Sequence, residues 1–266
     1  MKITEIVIAT PDSPLTCSLA APEGVPATEP SLLLTFGMNR QSALNEDPHD
    51  LPARIFTKAG HYALSFDLPN HGGRIDAFGE GIGGMCAAYM AGSDPFARFV
   101  ADGRAVIDAC HRFGIAGSDR VVACGVSRAA YCALRLAAVD RRILAVAGLA
   151  PVTDWRALSE FASVKDRPEI AALALDNWAD ELAGRAVFLA IGNADARVGS
   201  DACGRLALRI LEEEARRGVP SSLVELHVIP SEGHSLSSEW RSAGGRFLMR
   251  MGAQNERAWH LATAGL

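Results

Sequence analysis

Short apolar runs rich in Val, Ile and Leu recur along these 266 residues, most of them followed by a loop and then by a longer segment with helical spacing. Strands that alternate with helices read as a mostly parallel sheet covered by helices on both faces, because a parallel crossover needs a helix-length connection and places it on the sheet. Residues 3–9 and 15–20 flank Pro11-Asp12-Ser13-Pro14 and predict an opening antiparallel hairpin. Strands are then predicted at 31–36, 61–67, 120–126, 143–150, 186–192 and 223–229, making about eight in all. Helices are predicted at 49–59, 97–113, 128–139, 155–162, 201–217 and about 238–252. The expectation is one α/β domain over residues 1–266, with 72–96 and 152–184 as lid insertions. Within the first of these, Gly79-Glu80-Gly81-Ile82-Gly83-Gly84 reads as a mobile loop; it follows no early strand in a compact βαβ unit, which argues against a dinucleotide site.

The charge balance narrows the range of partners. A net charge of -5 offers no basic footprint for a phosphate backbone, so nucleic acid is not expected. No stretch approaches the roughly 18 uninterrupted apolar residues of a membrane-spanning helix, and no membrane partner is expected. The opening segment lacks the continuous apolar core of a signal peptide, which gives the cytoplasm as the expected location. Six cysteines, Cys17, Cys86, Cys110, Cys124, Cys132 and Cys203, form no C-x-x-C pair. That spacing suits buried reduced thiols better than zinc or a redox dithiol, so neither metal nor organic cofactor is expected.

Chemistry concentrates at Gly125-Val126-Ser127-Arg128-Ala129, between an apolar strand and an Ala-rich helix. That is the context of a G-x-S-x-G nucleophile elbow, where small flanking residues let strand and helix approach and hold the serine hydroxyl out at the sheet's edge. The same serine would also suit a plain helix N-cap. A serine nucleophile needs a base and an acid that orients the base. Asp195 follows the strand at 186–192 and His234 follows the last strand, in the chain order Ser, Asp, His. Asp154, after the strand at 143–150, is a competing acid, and Asp195 would also serve as a plain turn or N-cap aspartate.

With G-N-x-D-x-R-V at 192–198 and E-G-H at 232–234, the sequence resembles the α/β-hydrolase domain of prolyl-oligopeptidase-type peptidases, dienelactone-hydrolase-like enzymes and related esterases. The resemblance runs from the strand at 31–36 to the closing helix. It implies an eight-stranded α/β-hydrolase fold with a small lid, Ser127 as nucleophile, Asp195 as acid and His234 as base. Asp67-Leu68-Pro69-Asn70-His71-Gly72-Gly73 is similar to a D-x-P-x-H-G turn of this fold that shapes the floor of the site, and Asp67 and His71 are expected to form the turn rather than react. Where relatives often have His-Gly after the third strand, this chain has Phe36-Gly37-Met38-Asn39, so the expected oxyanion donors are the backbone N–H groups of Met38 and Arg128.

Peptidases of the family usually carry a large propeller, for which this length leaves no room. The expected substrate is therefore a small acyl ester, and the expected activity that of a carboxylesterase. The same fold also serves thioesters, lactones and amides, and includes catalytically silent binding proteins. Phe78, Met85, Tyr89, Phe96 and Trp155 are available for an apolar acyl pocket or for ordinary core, and Arg128 also suits a carboxylate-bearing substrate. A homodimer is compatible with the resemblance, although the sequence identifies no interface.

Overall fold

The computed structural model describes residues 1–117, 120–235 and 237–253. Alternation along the strands sets the layers. In β3 (Leu32–Phe36), after the hairpin β1 (Lys2–Ile8) and β2 (Leu15–Ala21), the side chains of Leu32, Leu34 and Phe36 enter one apolar layer while Leu33 enters the other. The same two-sided burial holds in β4 (Tyr62–Phe66), β5 (Val121–Val126), β6 (Ile143–Leu149) and β7 (Ala186–Gly192). β8 (Val224–Ile229) is an edge strand and is much more exposed. The eight strands form one sheet in the order β1-β2-β4-β3-β5-β6-β7-β8. β1 and β2 pair antiparallel, β2 is antiparallel to β4, and every later pairing is parallel. All eight predicted strands are present to within a residue at each end.

The helices among the described residues are α1 (Ser42–Asn45), α2 (Leu51–Lys58), α3 (Gly81–Met90), α4 (Pro95–Arg112), α5 (Arg128–Val139), α6 (Pro168–Ala171), α7 (Ala179–Leu182), α8 (Ser200–Arg217) and α9 (Ser238–Ala253). Phe56 of α2 and Trp240, Phe247 and Leu248 of α9 cover one face of the sheet. The other face is covered by α4, α5 and α8, through Phe99, Val106, Tyr131, Leu134, Leu206 and Ile210 among others. None of the helices among the described residues is long and apolar enough to cross a membrane.

Two expectations need correction. Gly79–Gly84 does not form a mobile loop but leads into α3. Gly79 and Gly81 adopt positive φ (98° and 67°), and a Cβ on Gly84 would collide with the carbonyl of Gly79, so these glycines permit a tight turn against the first turn of the helix. The stretch 155–162 forms two short 3-10 turns, Trp155–Ala157 and Ser159–Phe161, instead of an α-helix. The two insertions also pack on each other. Phe96 meets Trp155 at a ring-centroid distance of 4.8 Å, Trp155 meets Tyr131 at 5.0 Å and Phe161 at 5.2 Å, and the Tyr89 hydroxyl donates to the Glu169 carbonyl at 3.2 Å. Met85, Phe96 and Trp155 are therefore core, Tyr89 is partly buried, and Phe78 is exposed.

Phe36 at the end of β3, Phe66 at the end of β4 and Phe99 of α4 form a triangle with centroids 5.0–5.3 Å apart. Phe99 is 1% exposed, so Phe99→Ala leaves a cavity between α4 and the strands that carry the site. A loss of about 3–5 kcal/mol is expected, read as a lowered urea midpoint with little change in slope.

Candidate active site

The end of β5 and the start of α5 cross so closely that a Cβ on Gly125 would overlap the Ala129 carbonyl. Residue 125 must be glycine for this turn to close. Ala129 is fully buried, and the crossing accommodates its methyl group. Ser127, at the apex, has φ 55° and ψ −121°, a conformation that non-glycine residues rarely adopt. Hydrogen bonds hold it there: its N–H donates to Leu149 O at 2.8 Å, and its carbonyl accepts from Val152 N at 3.2 Å and Ala130 N at 3.0 Å. The Ser127 side chain makes no helix-capping bond. Its hydroxyl instead lies 3.0 Å from Nε2 of His234.

His234 closes the line on its other side, with Nδ1 2.7 Å from Oδ2 of Asp195. An ionised carboxylate only accepts, so Nδ1 carries the ring proton and Nε2 is left to accept from the serine. Asp195 is 2% exposed, and its second oxygen takes the N–H groups of Arg197 (3.0 Å) and Val198 (3.2 Å). The Asp195 and His234 loops are tied together by Ser231 N–H donating to Asn193 Oδ1 at 3.1 Å. Asp154, the competing acid, is elsewhere engaged: it caps its own 3-10 turn and holds Arg156 through the backbone N–H, Nε and Nη2.

The segment after β3 is fixed from below by Asp67. One carboxylate oxygen accepts from Arg40 N–H at 2.7 Å, and the other accepts from Arg40 Nη1 at 3.0 Å and Gly73 N–H at 2.9 Å. Asn39 Oδ1 accepts from the N–H groups of Gln41 and Ser42, which completes the turn into α1. Among the described residues the Met38 N–H has no partner. The Arg128 N–H, at the first position of α5, lacks an intrahelical acceptor by helix geometry. Both expected oxyanion donors are therefore unengaged.

His71 has a contact that its position in a turn does not announce. Its Nδ1 faces Pro69 O at 2.9 Å, and its Nε2 accepts from Arg128 Nε at 2.6 Å. Burial, reinforced by the Arg128 charge, pushes its pKa down to about 4. Burial also lowers Arg128 from its ordinary value. Arg197 pairs with Glu160 at 2.5 Å and donates to Ser159 Oγ at 2.9 Å, clipping the Asp195 loop to the 152–184 insertion. The six cysteines are buried, and burial pushes Cys124 and Cys132, the two nearest Ser127 in the chain, up to about 12. They are inert thiols at neutral pH.

No family model and no curated protein sequence matches the chain. Solved structures do. A cold-adapted esterase from an Arctic intertidal metagenomic library aligns with 93% of this chain and 92% of its own at 17% identity and a TM-score of 0.66. An esterase of Pyrococcus furiosus aligns with 95% of this chain and 93% of its own at 17% identity, also with a TM-score of 0.66. A puromycin-hydrolyzing peptidase of Mycobacterium tuberculosis aligns with 96% of this chain at 16% identity and a TM-score of 0.70, while this chain spans 41% of that protein. The protein therefore has the α/β-hydrolase fold, as expected.

The buried neutral His71 makes stability depend on pH. Its folded pKa of about 4 lies below the ordinary 6.5, so between these values the unfolded chain takes up a proton that the folded chain refuses. Stability is complete above about pH 6.5 and falls towards about pH 4, by at most ~1.4 kcal/mol per pH unit from this residue. His49 and His61, also lowered chiefly by burial, act in the same direction. In urea unfolding at pH 7.5 and 4.5, His71→Gln is expected to lose less stability between the two than the wild type loses.

Proposed function

We propose that the protein is a serine hydrolase that cleaves carboxylic esters through an acyl-enzyme on Ser127. The observation that carries this reading is the continuous hydrogen-bonded line Ser127–His234–Asp195, which stands beside two unengaged backbone N–H groups. His234 accepts the Ser127 proton as the hydroxyl oxygen attacks the acyl carbon, and Asp195 stabilises the imidazolium. The N–H groups of Met38 and Arg128 are the donors for the oxyanion, fixed before the charge develops. Collapse of the tetrahedral intermediate expels the alcohol, which takes its proton from His234. Water then attacks the acyl-enzyme with His234 again as base, releasing the acid and restoring Ser127.

The structural neighbours include esterases that match this chain over nearly their whole length, and this favours small esters over peptides as substrates. Met85, Phe96 and Trp155, open to a reading as acyl pocket or as core, are buried as core. The reading therefore rests on the reacting groups and not on a greasy cavity.

Wild type is expected to hydrolyse short-chain p-nitrophenyl esters and to be labelled by a fluorophosphonate at Ser127, with both signals absent in Ser127→Ala. A wild type that neither turns over nor labels would favour a catalytically silent binding protein. Substitution separates the two acids: Asp195→Asn is expected to lower kcat by about 10³–10⁴-fold, since it disturbs the tautomer and removes the charge facing His234. Asp154→Asn is expected to remain within a few-fold of wild type, and the reverse pattern in steady-state kinetics would move the acid to β6.

A further inference from the structure

Arginines in this protein are commonly matched to acids where they leave the solvent. Arg40 pairs with Asp67 and Glu5, Arg74 with Asp102, Arg142 with Asp140, and Arg197 with Glu160. Among the described residues Arg128, the residue after Ser127, has no such acid, and unlike Arg185, whose guanidinium is given to the carbonyls of Glu181, Asp140 and Ile143, it has no carbonyl in its place. It is partly buried, yet among the described residues it makes no ion pair. Its two side-chain contacts are with neutral groups: Nε donates to His71 Nε2, and Nη2 lies 4.0 Å from Met38 Sδ. The first contact fixes the direction of the side chain, because His71 is itself locked by its bond to Pro69 O, and it leaves the charge uncompensated. Among the described residues Nη1 has no hydrogen-bond partner, and it is not one of the polar atoms sealed from solvent, so this edge of the guanidinium is open.

Among the described residues the surroundings do not supply the missing anion. Asp67, in the same turn as His71, is committed to Arg40 and Gly73. Glu160, whose charge reaches Arg128, is held by Arg197, and Arg197 opposes it with a positive charge. Behind the Met38 segment, Arg241 is 4% exposed and has neither an ion pair nor a hydrogen bond among the described residues. It adds a second uncompensated positive charge near His49, which lies against Gly37. A partly desolvated, pre-oriented guanidinium with a free edge is the arrangement that binds a planar carboxylate in fork geometry.

We propose that Arg128 determines specificity by binding a carboxylate on the substrate, so that the preferred substrates are half-esters of short dicarboxylic acids. This inference rests on the serine-hydrolase reading and adds the substrate class. The Arg128 side chain binds the anionic end while its backbone N–H faces the oxyanion, so one residue sets both the register of the substrate and part of the stabilisation.

The test compares monomethyl succinate with methyl succinamate, whose carboxamide has the same shape without the charge, following acid release by pH-stat at neutral pH. Wild type is expected to favour the half-ester by at least about tenfold in kcat/KM, mainly through KM. Arg128→Gln is expected to bring that ratio close to one, and Arg128→Lys to restore part of it. Succinate is expected to inhibit wild type competitively at concentrations where succinamide does not, a measurement independent of whether the variants fold. Equal turnover of the two esters by wild type would overturn the proposal, as would an equal loss on both in Arg128→Gln, which would place the side chain on the oxyanion. Fluorophosphonate labelling of wild type separates the failures: labelled protein without an anion preference refutes only the carboxylate site, whereas unlabelled protein refutes the hydrolase reading beneath it.

Discussion

The close approach of β5 and α5 at Gly125 sets the place of Ser127, and with it the place at which His234 and Asp195 complete the hydrogen-bonded line. Once strand and helix cross at that distance, the residue at the turn has little choice but a left-handed backbone, and Ser127 accepts φ 55°. Bonds from Leu149, Val152 and Ala130 over-determine that conformation, so the local strain is held by the end of β6 and the start of α5. The consequence is a hydroxyl projected beyond the sheet, with the first N–H of a twelve-residue helix directly behind it. The remaining groups are brought in by strands that end at the same edge: Met38 after β3, Asp195 after β7 and His234 after β8. A parallel sheet gathers such loops on one side because all of its carboxyl ends point the same way.

Two partly buried polar pairs then stiffen the D-x-P-x-H-G turn, in different ways. Asp67 is saturated by Arg40 and Gly73, so its charge is compensated and its effect is geometric: it holds the Met38 segment at a fixed height relative to Ser127. His71 is neutral, and its bond to Arg128 orients a charge without cancelling it. Had the turn supplied a carboxylate at that place, the guanidinium would have been satisfied within the protein and of little use to a ligand. Two arginines are thus anchored on the same D-x-P-x-H-G turn, Arg40 with its charge compensated there and Arg128 without.

Much of this was legible in the sequence because it is encoded locally. Strand burial follows runs of Val, Ile and Leu, and the eight strands were placed to within a residue. The three residues of the hydrogen-bonded line were legible from chain order, since each follows a strand that the apolar pattern marks. What escaped depends on partners distant in sequence. The glycines at 79–84 suggest mobility by propensity alone, and only the contact between Gly84 and Gly79 shows that they serve a tight helix start. The pairing of Arg128 with His71 spans 57 residues and that of Arg40 with Asp67 spans 27, and neither leaves a trace in local periodicity. The aromatic side chains of the insertions were open to two readings, and packing between the insertions decided for core.

The choice between the two aspartates shows how local chemistry completes what strand order begins. Asp154 and Asp195 both follow parallel strands, and both accept hydrogen bonds from backbone N–H groups just ahead of them in the chain. They differ in what the neighbouring arginine does. Arg156 folds back on Asp154 and occupies both of its oxygens, which leaves no acceptor for an imidazole. Arg197 turns away from Asp195 to Glu160 and Ser159, so only its backbone N–H touches the acid. One oxygen of Asp195 therefore holds the loop and the other remains for His234, with the Arg197 guanidinium drawn away from both. Glu160 thus acts on the hydrogen-bonded line at one remove: by holding Arg197, it leaves the second oxygen of Asp195 to His234.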